Sequence, residues 1–271
     1  MSARFLRSSP ALLLAVALCL FGTTPAAGQQ KQRPLLAVPR LKTPPKIDGS
    51  LDDPAYPRMA ALTGMVRFGL SGPESLVPKL QQVTWWIGYD EENLYLSMRS
   101  PMPEGTWPVA RVKKRDQFLI LRDDHTEIQF APHGRANART HGLGFYKLMT
   151  NPRGAIHDAW YYNGTPGTEK AWSYNGELAC DVTEQRWDME MRIPFSSMED
   201  VEDVDGTRWV TQLLRADSWG GAYFAGWVSG AWMAWDRFGE IAFDPEAPAF
   251  QLVDLGKITR GDMDAQIHLA G

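Results

Sequence analysis

Alternation of apolar and polar residues with a period of two recurs along most of this chain, and it leaves little room for any fold not built from β-strands. In Arg186–Ile193, Trp187, Met189, Met191 and Ile193 alternate with Arg186, Asp188, Glu190 and Arg192. Successive side chains of a strand point to opposite faces, so this segment predicts a half-buried antiparallel strand with its polar face in water. Val83, Trp85, Ile87 and Tyr89 predict a second strand, Asp90-Glu91-Glu92-Asn93 a turn, and Leu94–Arg99 the returning arm of a hairpin. Thr126, Ile128 and Phe130 face one side of a third strand, with Glu127 and Gln129 on the other. Leu143–Thr150 and Ala155–Tyr162 flank Asn151-Pro152-Arg153-Gly154, a strong turn signal. Trp209–Ala216 and Glu240–Phe243 add further strands. Helical periodicity is nearly absent; Asp53-Pro54 caps at most one helical turn, which Pro57 stops. Many short strands separated by turn chemistry predict an all-β fold, an antiparallel, immunoglobulin-like β-sandwich.

The first 28 residues read as a secretory signal peptide. Arg4 and Arg7 form a charged start, Ala11–Phe21 is apolar but too short to stay as a membrane anchor, and Ala26-Ala27-Gly28 offers small residues for cleavage before Gln29. Leu18 precedes Cys19 where a lipoprotein signal needs a small residue, which argues against lipidation. Removing residues 1–28 leaves 271 − 28 = 243 residues, and the loss of Arg4 and Arg7 moves the formal charge from −4 to −6. That balance, with Lys113-Lys114-Arg115 as the only tight basic run, argues against a nucleic-acid partner. No later segment is long and apolar enough to cross a membrane, so the chain is expected to be exported to the periplasm, the cell surface or beyond. Residues 29–245 make the predicted sandwich. After Pro245 and Pro248, residues 246–271 are either its last strand, through the alternation of Met263, Ala265, Ile267 and Leu269, or the start of a following domain. Cys180 is the one cysteine left after cleavage, so an apolar core rather than an internal disulfide has to hold the fold.

Trp219, Trp227, Trp232 and Trp235 crowd into one stretch that runs into Phe238-Gly239. Large flat rings beside Gly and Ser suit a loop that offers apolar faces to a sugar ring, and they also suit packing near the end of a sandwich. Several segments, in order, carry a resemblance. They are Pro45-Lys46-Ile47-Asp48-Gly49-Ser50-Leu51-Asp52, then Tyr89-Asp90-Glu91-Glu92-Asn93-Leu94-Tyr95-Leu96, then Asp123-Asp124-His125-Thr126-Glu127-Ile128. Thr150-Asn151-Pro152-Arg153-Gly154-Ala155 with Asp158, Trp187-Asp188-Met189-Glu190-Met191-Arg192-Ile193-Pro194-Phe195, and Trp232 to Phe238-Gly239-Glu240-Ile241 complete the series. Together, from about Leu35 to Phe243, they resemble a family 9 carbohydrate-binding module and related domains of secreted and outer-membrane bacterial proteins.

The resemblance implies a jelly-roll sandwich, structural calcium in some members, and sugar chain ends held between aromatic rings. By position it makes Trp232 one of the two rings and Glu127 a carboxylate that accepts from sugar hydroxyls. It puts Lys147 near a family arginine, where lysine keeps the charge but loses the bidentate fork. The second ring belongs six residues before Glu127, where this chain has Leu121. Trp107, Trp160 and Trp172 are the candidates to replace it. Beside the resemblance, Glu127, Gln129 and Lys147 supply paired hydrogen-bonding groups for a polar ligand. Asp123, Asp124 and Asp158 are hard oxygen donors for calcium, which needs such groups to converge from separate loops. The histidines His125, His133, His141, His157 and His268 lack zinc-ligand spacing.

The expected function is therefore a secreted, non-catalytic domain that binds plant-type or other polysaccharide by aromatic stacking. One alternative is a glycoside hydrolase or an accessory part of one, which requires two carboxylates opposed across a cleft; Glu127 and Glu190 are the pair to test. Another is a structural module of the same fold that has lost its sugar site, the reading Leu121 favours. A haem-binding variant would need a Met and a His to converge.

Overall fold

The computed structural model describes residues 33–70, 75–132, 144–162, 169–199, 201–217, 223–228, 237–255, 258–259, 262–263 and 265–270. The expected signal peptide lies outside the described residues. The strands are β1 (Leu35–Pro39), β2 (Ala60–Leu62), β3 (Val66–Arg67), β4 (Thr84–Tyr89), β5 (Asn93–Pro101) and β6 (His125–Ala131). They continue with β7 (Gly144–Thr150), β8 (Ile156–Tyr162), β9 (Glu169–Ala171), β10 (Glu177–Val182), β11 (Arg186–Pro194) and β12 (Arg208–Asp217). Last come β13 (Tyr223–Gly226), β14 (Gly239–Asp244), β15 (Ala249–Asp254), β16 (Ile258–Thr259), β17 (Asp262–Met263) and β18 (Gln266–Ala270).

Two sheets form a sandwich. The front sheet runs β1-β14-β12-β6-β7-β8-β9, with β13 beside β12 and β3 beside β13; the back sheet runs β10-β11-β5-β4-β2-β15-β18. Most neighbours are antiparallel, but β1 with β14 and β15 with β2 are parallel. Each sheet is therefore mixed rather than purely antiparallel. The partners in those two pairs are far apart in sequence, as a parallel pairing requires. Residues 249–254 and 266–270 are back-sheet strands.

Local chemistry explains the turns. Asp90 Oδ1 accepts the amide N–H of Glu92 at 2.9 Å and of Asn93 at 2.8 Å, which closes the β4–β5 hairpin. Asn151 Oδ1 accepts the amides of Arg153 at 3.1 Å and Ala155 at 3.0 Å between β7 and β8. Between the sheets, Ile128, Phe130, Leu148 and Leu213 of the front meet Trp85, Leu96, Met189 and Met191 of the back in one buried core. Trp209 anchors it, 5.7 Å from Phe130 and 4.8 Å from Phe243 between ring centres.

The outward face of β11 is not in water as its alternation predicts. Asp188 and Glu190 are fully buried. Asp188 takes a two-pronged bond from Arg99 at 2.8 and 2.7 Å and another from Arg186 at 2.7 Å. Glu190 Oε2 accepts the amides of Asp48 at 2.9 Å and Gly49 at 2.5 Å, and its Oε1 accepts the Tyr56 hydroxyl. Burial raises the Glu190 carboxyl above its usual range, while the bonds from Tyr56, Gly49 and Asp48 oppose the shift. Leu41, Tyr56 and Met59 pack with Tyr95 over this face, with Ile47, Leu51 and Trp86 against them. Residues 41–59 thus cover the outside of the back sheet.

Backbone approach limits side-chain size at the start of β7. A Cβ on Gly144 would stand 2.1 Å from the Tyr161 carbonyl oxygen and 3.0 Å from the Trp160 ring. Gly144→Ala is expected to destabilise the protein by about 2 kcal/mol, within the usual cost of overpacking a filled site. The check is the urea midpoint, with the strand content of the variant followed by circular dichroism.

Candidate functional site

Three adjacent strands in the middle of the front sheet bring the polar residues of its outer face together. Residues 125, 127 and 129 of β6 alternate with the core-facing Thr126, Ile128 and Phe130, so His125, Glu127 and Gln129 share the outer face. The ladder places Gln129 opposite Lys147 on β7 and opposite Gln212 on β12. Glu127 accepts from Lys147 Nζ at 2.8 Å and from Gln129 Nε2 at 2.8 Å. Its other oxygen is 3.3 Å from His125 Nε2, and His125 Nδ1 is 2.8 Å from the Asp123 carbonyl. Lys147 Nζ also lies over the Tyr161 ring, 5.2 Å from its centre. Gln212 clasps Val228: its Nε2 donates to the Val228 carbonyl at 2.8 Å and its Oε1 accepts the Val228 amide at 3.0 Å. Burial by itself would raise the Glu127 carboxyl, but the Lys147 ammonium and the bond and charge of His125 outweigh it and hold it at about 2.

Apolar packing brackets this row on the same face. On one side Phe145, Tyr161, Phe238, Ala131 and Val210 form a second cluster, with Val228 against it. Phe145 stacks on Tyr161 at 5.8 Å and meets Phe238 at 5.5 Å. On the other side, a strap that ends in the 3-10 turn Phe118–Arg122 lays Val112 and Ile120 on Met149 and Ala155. Phe118 stands edge-on to His157 at 5.7 Å. The polar row is therefore closed: Glu127 is 0% and Lys147 2% exposed. Alternation tells which face a residue occupies; it does not tell what covers that face.

The predicted site residues separate into groups. Glu127 and Lys147 come together as expected. Trp232, with Trp219 and Trp235, lies outside the described residues. Trp160 points the other way, into the core between the sheets, 4.7 Å from the Tyr146 ring. Trp172 packs at the edge of that core, 4.7 Å from Tyr146, and its indole N–H donates to the Ser197 carbonyl at 2.6 Å. Neither ring can stand in for the second stacking ring on the Glu127 face. Leu121 is partly buried in the strap beside Met149. Trp107 is exposed, and Phe118, which the sequence did not single out, is the exposed ring that borders this face. Trp227 is half-buried against the core, and a Cβ on Gly239 would lie 2.8 Å from its ring. His125 and Gln212 were also missed; both follow from the period of two once the register is known. Glu190 is on the outward face of the opposite sheet from Glu127, with the core between them, so these carboxylates share no cleft.

The three aspartates expected to hold calcium face protein donors instead. Asp123 accepts the amides of Arg111 and Val112, each at 2.9 Å, and the Asn151 side chain at 2.9 Å. Asp124 accepts the Val109 amide and lies 3.5 Å from the buried Arg215. Asp158 accepts from Arg115 and, at 2.8 Å, from the Tyr174 amide. Burial raises the Asp158 carboxyl, against those two partners. Carboxylates committed to N–H donors at separate places do not fit a calcium shell of converging oxygens. Among the described residues no three His, Cys, Asp or Glu side chains converge on a point that could hold a metal. Among the described residues, too, no helix is long and apolar enough to cross a membrane.

Solved structures share this fold. The chain has the fold of the family 9 carbohydrate-binding modules. One such module, from Caldicellulosiruptor kristjanssonii in complex with cellotriose, superposes with a TM-score of 0.53 at 14% identity over 83% of this chain and 98% of that one. A family 9 module from the same organism in complex with glucose gives 0.55 at 14% identity over 79% and 97%. A candidate carbohydrate-binding protein from Bacteroides uniformis gives 0.58 at 14% identity over 79% and 100%. At the level of sequence, no family model and no curated protein matches.

The Glu127 cluster makes stability sensitive to acid. The carboxyl sits at about 2 in the folded chain against 4.5 when unperturbed. Its contribution is full above the unfolded value and is lost as the pH falls from there through about 2. Glu127→Gln is expected to flatten the acid limb of a stability-against-pH curve in that window. At neutral pH it should cost about 3 kcal/mol, because Lys147 is left buried without its counter-charge. Glu127→Gln combined with Lys147→Met should recover part of that loss in chemical denaturation.

Proposed function

We propose that the chain is a non-catalytic carbohydrate-binding domain whose site is the outer face of the front sheet around Glu127. The observation that carries the proposal is Gln129, whose amide Oε1 is buried on that face and, among the described residues, has no hydrogen-bond partner. An unpaired buried acceptor costs about 1–3 kcal/mol, and a ligand hydroxyl is a donor suited to it. Neighbouring hydroxyls of the same sugar can then donate to Glu127 and accept from Lys147, a polar set small enough to fix orientation within apolar walls. The likeness to modules in complex with cellotriose and glucose supports this reading. Within it, a plant-type or other polysaccharide is the ligand, and Trp232 is the ring offered for stacking. Export through residues 1–28, to the periplasm, cell surface or medium, belongs to the same reading. Hydrolysis is not favoured, because Glu127 and Glu190 face outward from opposite sheets.

A second reading is favoured by the closure of the polar row. With Glu127 and Lys147 at 0% and 2% exposure, the pair would serve as an internal ion pair of a structural module without a ligand. Calorimetry with cellotriose, glucose and xylo-oligosaccharides separates the two. The carbohydrate reading expects binding by the wild type, about tenfold weakened in Gln129→Leu through the lost hydroxyl bond, and lost in Trp232→Ala. Absence of binding to every sugar in a folded wild type would leave the structural module.

A further inference from the structure

The strap before β6 carries a charge that the rest of the chain lacks. Residues 107–122 hold five cationic side chains, Arg111, Lys113, Lys114, Arg115 and Arg122, and one carboxylate, Asp116, in a chain of formal charge −4. Arg115 is committed to Asp158 and Asp116. The other four are exposed. The fold adds a sixth cation, since Arg153 of the β7–β8 turn donates its Nε to the Ala110 carbonyl at 2.7 Å. Arg111 in turn reaches the Arg122 carbonyl at 3.5 Å. The Arg111 and Arg153 side chains are thus held against the strap backbone, Arg111 at the carbonyl of the exposed Arg122, and among the described residues no carboxylate pairs with these three arginines.

That backbone is held in place from beneath. Asp123 binds the amides of Arg111 and Val112, and Asn151 donates to the Val112 carbonyl at 2.9 Å. Gathered like charges repel one another, and an ordinary solvated surface intersperses both signs. A guanidinium fork fits a planar carboxylate through two parallel hydrogen bonds. Apolar surface accompanies the charge: Trp107, Phe118 and Leu119 are 57%, 52% and 60% exposed. The buried side of the strap rests on Met149, the ladder partner of Glu127, so the basic patch borders the proposed sugar face.

We infer that this strap docks an acidic polysaccharide, one whose uronic-acid carboxylates pair with Arg111, Arg122 and Arg153 while Lys113 and Lys114 add long-range attraction. The inference rests on the carbohydrate reading above and narrows its ligand. Forks on a backbone pinned by Asp123 and Asn151 suit a directional partner. An anionic lipid surface is attracted instead by clustered charge without directional pairing.

Calorimetry on the full chain with oligogalacturonate, its methyl ester and a neutral cello-oligosaccharide tests the inference. The acid form is expected to bind at least about tenfold tighter than the ester, and to lose about tenfold in affinity between about 50 and 500 mM NaCl. Arg111→Gln/Arg122→Gln/Arg153→Gln should abolish the preference for the acid and leave ester binding unchanged. Should that variant fail to fold, Lys113→Gln/Lys114→Gln, at exposed positions, is expected to weaken acid binding severalfold. Equal, salt-independent affinity for acid and ester overturns the inference but leaves the carbohydrate reading intact. Binding to phosphatidylglycerol vesicles without binding to oligogalacturonate also overturns it. Failure to bind any of the three saccharides overturns both.

Discussion

A carboxylate closed off from water in the middle of a β-sheet constrains everything around it. Burying Glu127 without partners would cost several kcal/mol, so a cation has to meet it in the same dry place. Lys147 does so from the neighbouring strand, and Gln129 and His125 complete the set from β6 itself. This arrangement requires the register in which Gln129 stands opposite Lys147. A slip of one residue would turn Lys147 toward Ile128 and the core, and would turn Tyr146 and Leu148 out of it. The ion pair and the strand register therefore specify one another.

The same constraint explains why both outward faces carry buried charge. On the back sheet, Glu190 is met by backbone amides of residues 48 and 49 and by Tyr56, and Asp188 by two arginines. On the front sheet the cover comes from the strap on one side and the Phe145–Tyr161–Phe238 cluster on the other. Each sheet thus has packing on both faces. Polar groups held in such surroundings are strengthened by the low dielectric and kept at fixed distances, which suits orientation of a polar ligand. Among the described residues Gln129 Oε1 is left without a partner beside the paired Glu127 and Lys147, and the proposed carbohydrate reading rests on that.

Much of the candidate site's geometry could be read from the chain. The alternation in residues 126–130 put Glu127 and Gln129 on one face, and the Asn151-Pro152-Arg153-Gly154 turn fixed the β7–β8 hairpin that carries Lys147 nearby. The tryptophans were less legible. Trp160 stands opposite Tyr146 of the adjacent strand and turns inward with it, whereas Tyr161, one residue on, holds the outer face under Lys147. Composition alone offers either ring to a ligand. The aspartates misled for a related reason: their spacing suggested oxygen donors near turns, while their partners are backbone amides of the strap and arginines that only folding brings near.

The sequence by itself determined the strands, the hairpin turns and the division of residues between faces, because a period of two is a property of local backbone geometry. Tertiary structure decided which faces are dry. The cover for Glu190 comes from residues 48–56, more than a hundred positions away in the chain, and no local pattern encodes that reach. It also decided the neighbours of Arg111. Arg153 arrives there only because Asn151 ties the β7–β8 turn to the strap, and charges distant in sequence become one surface.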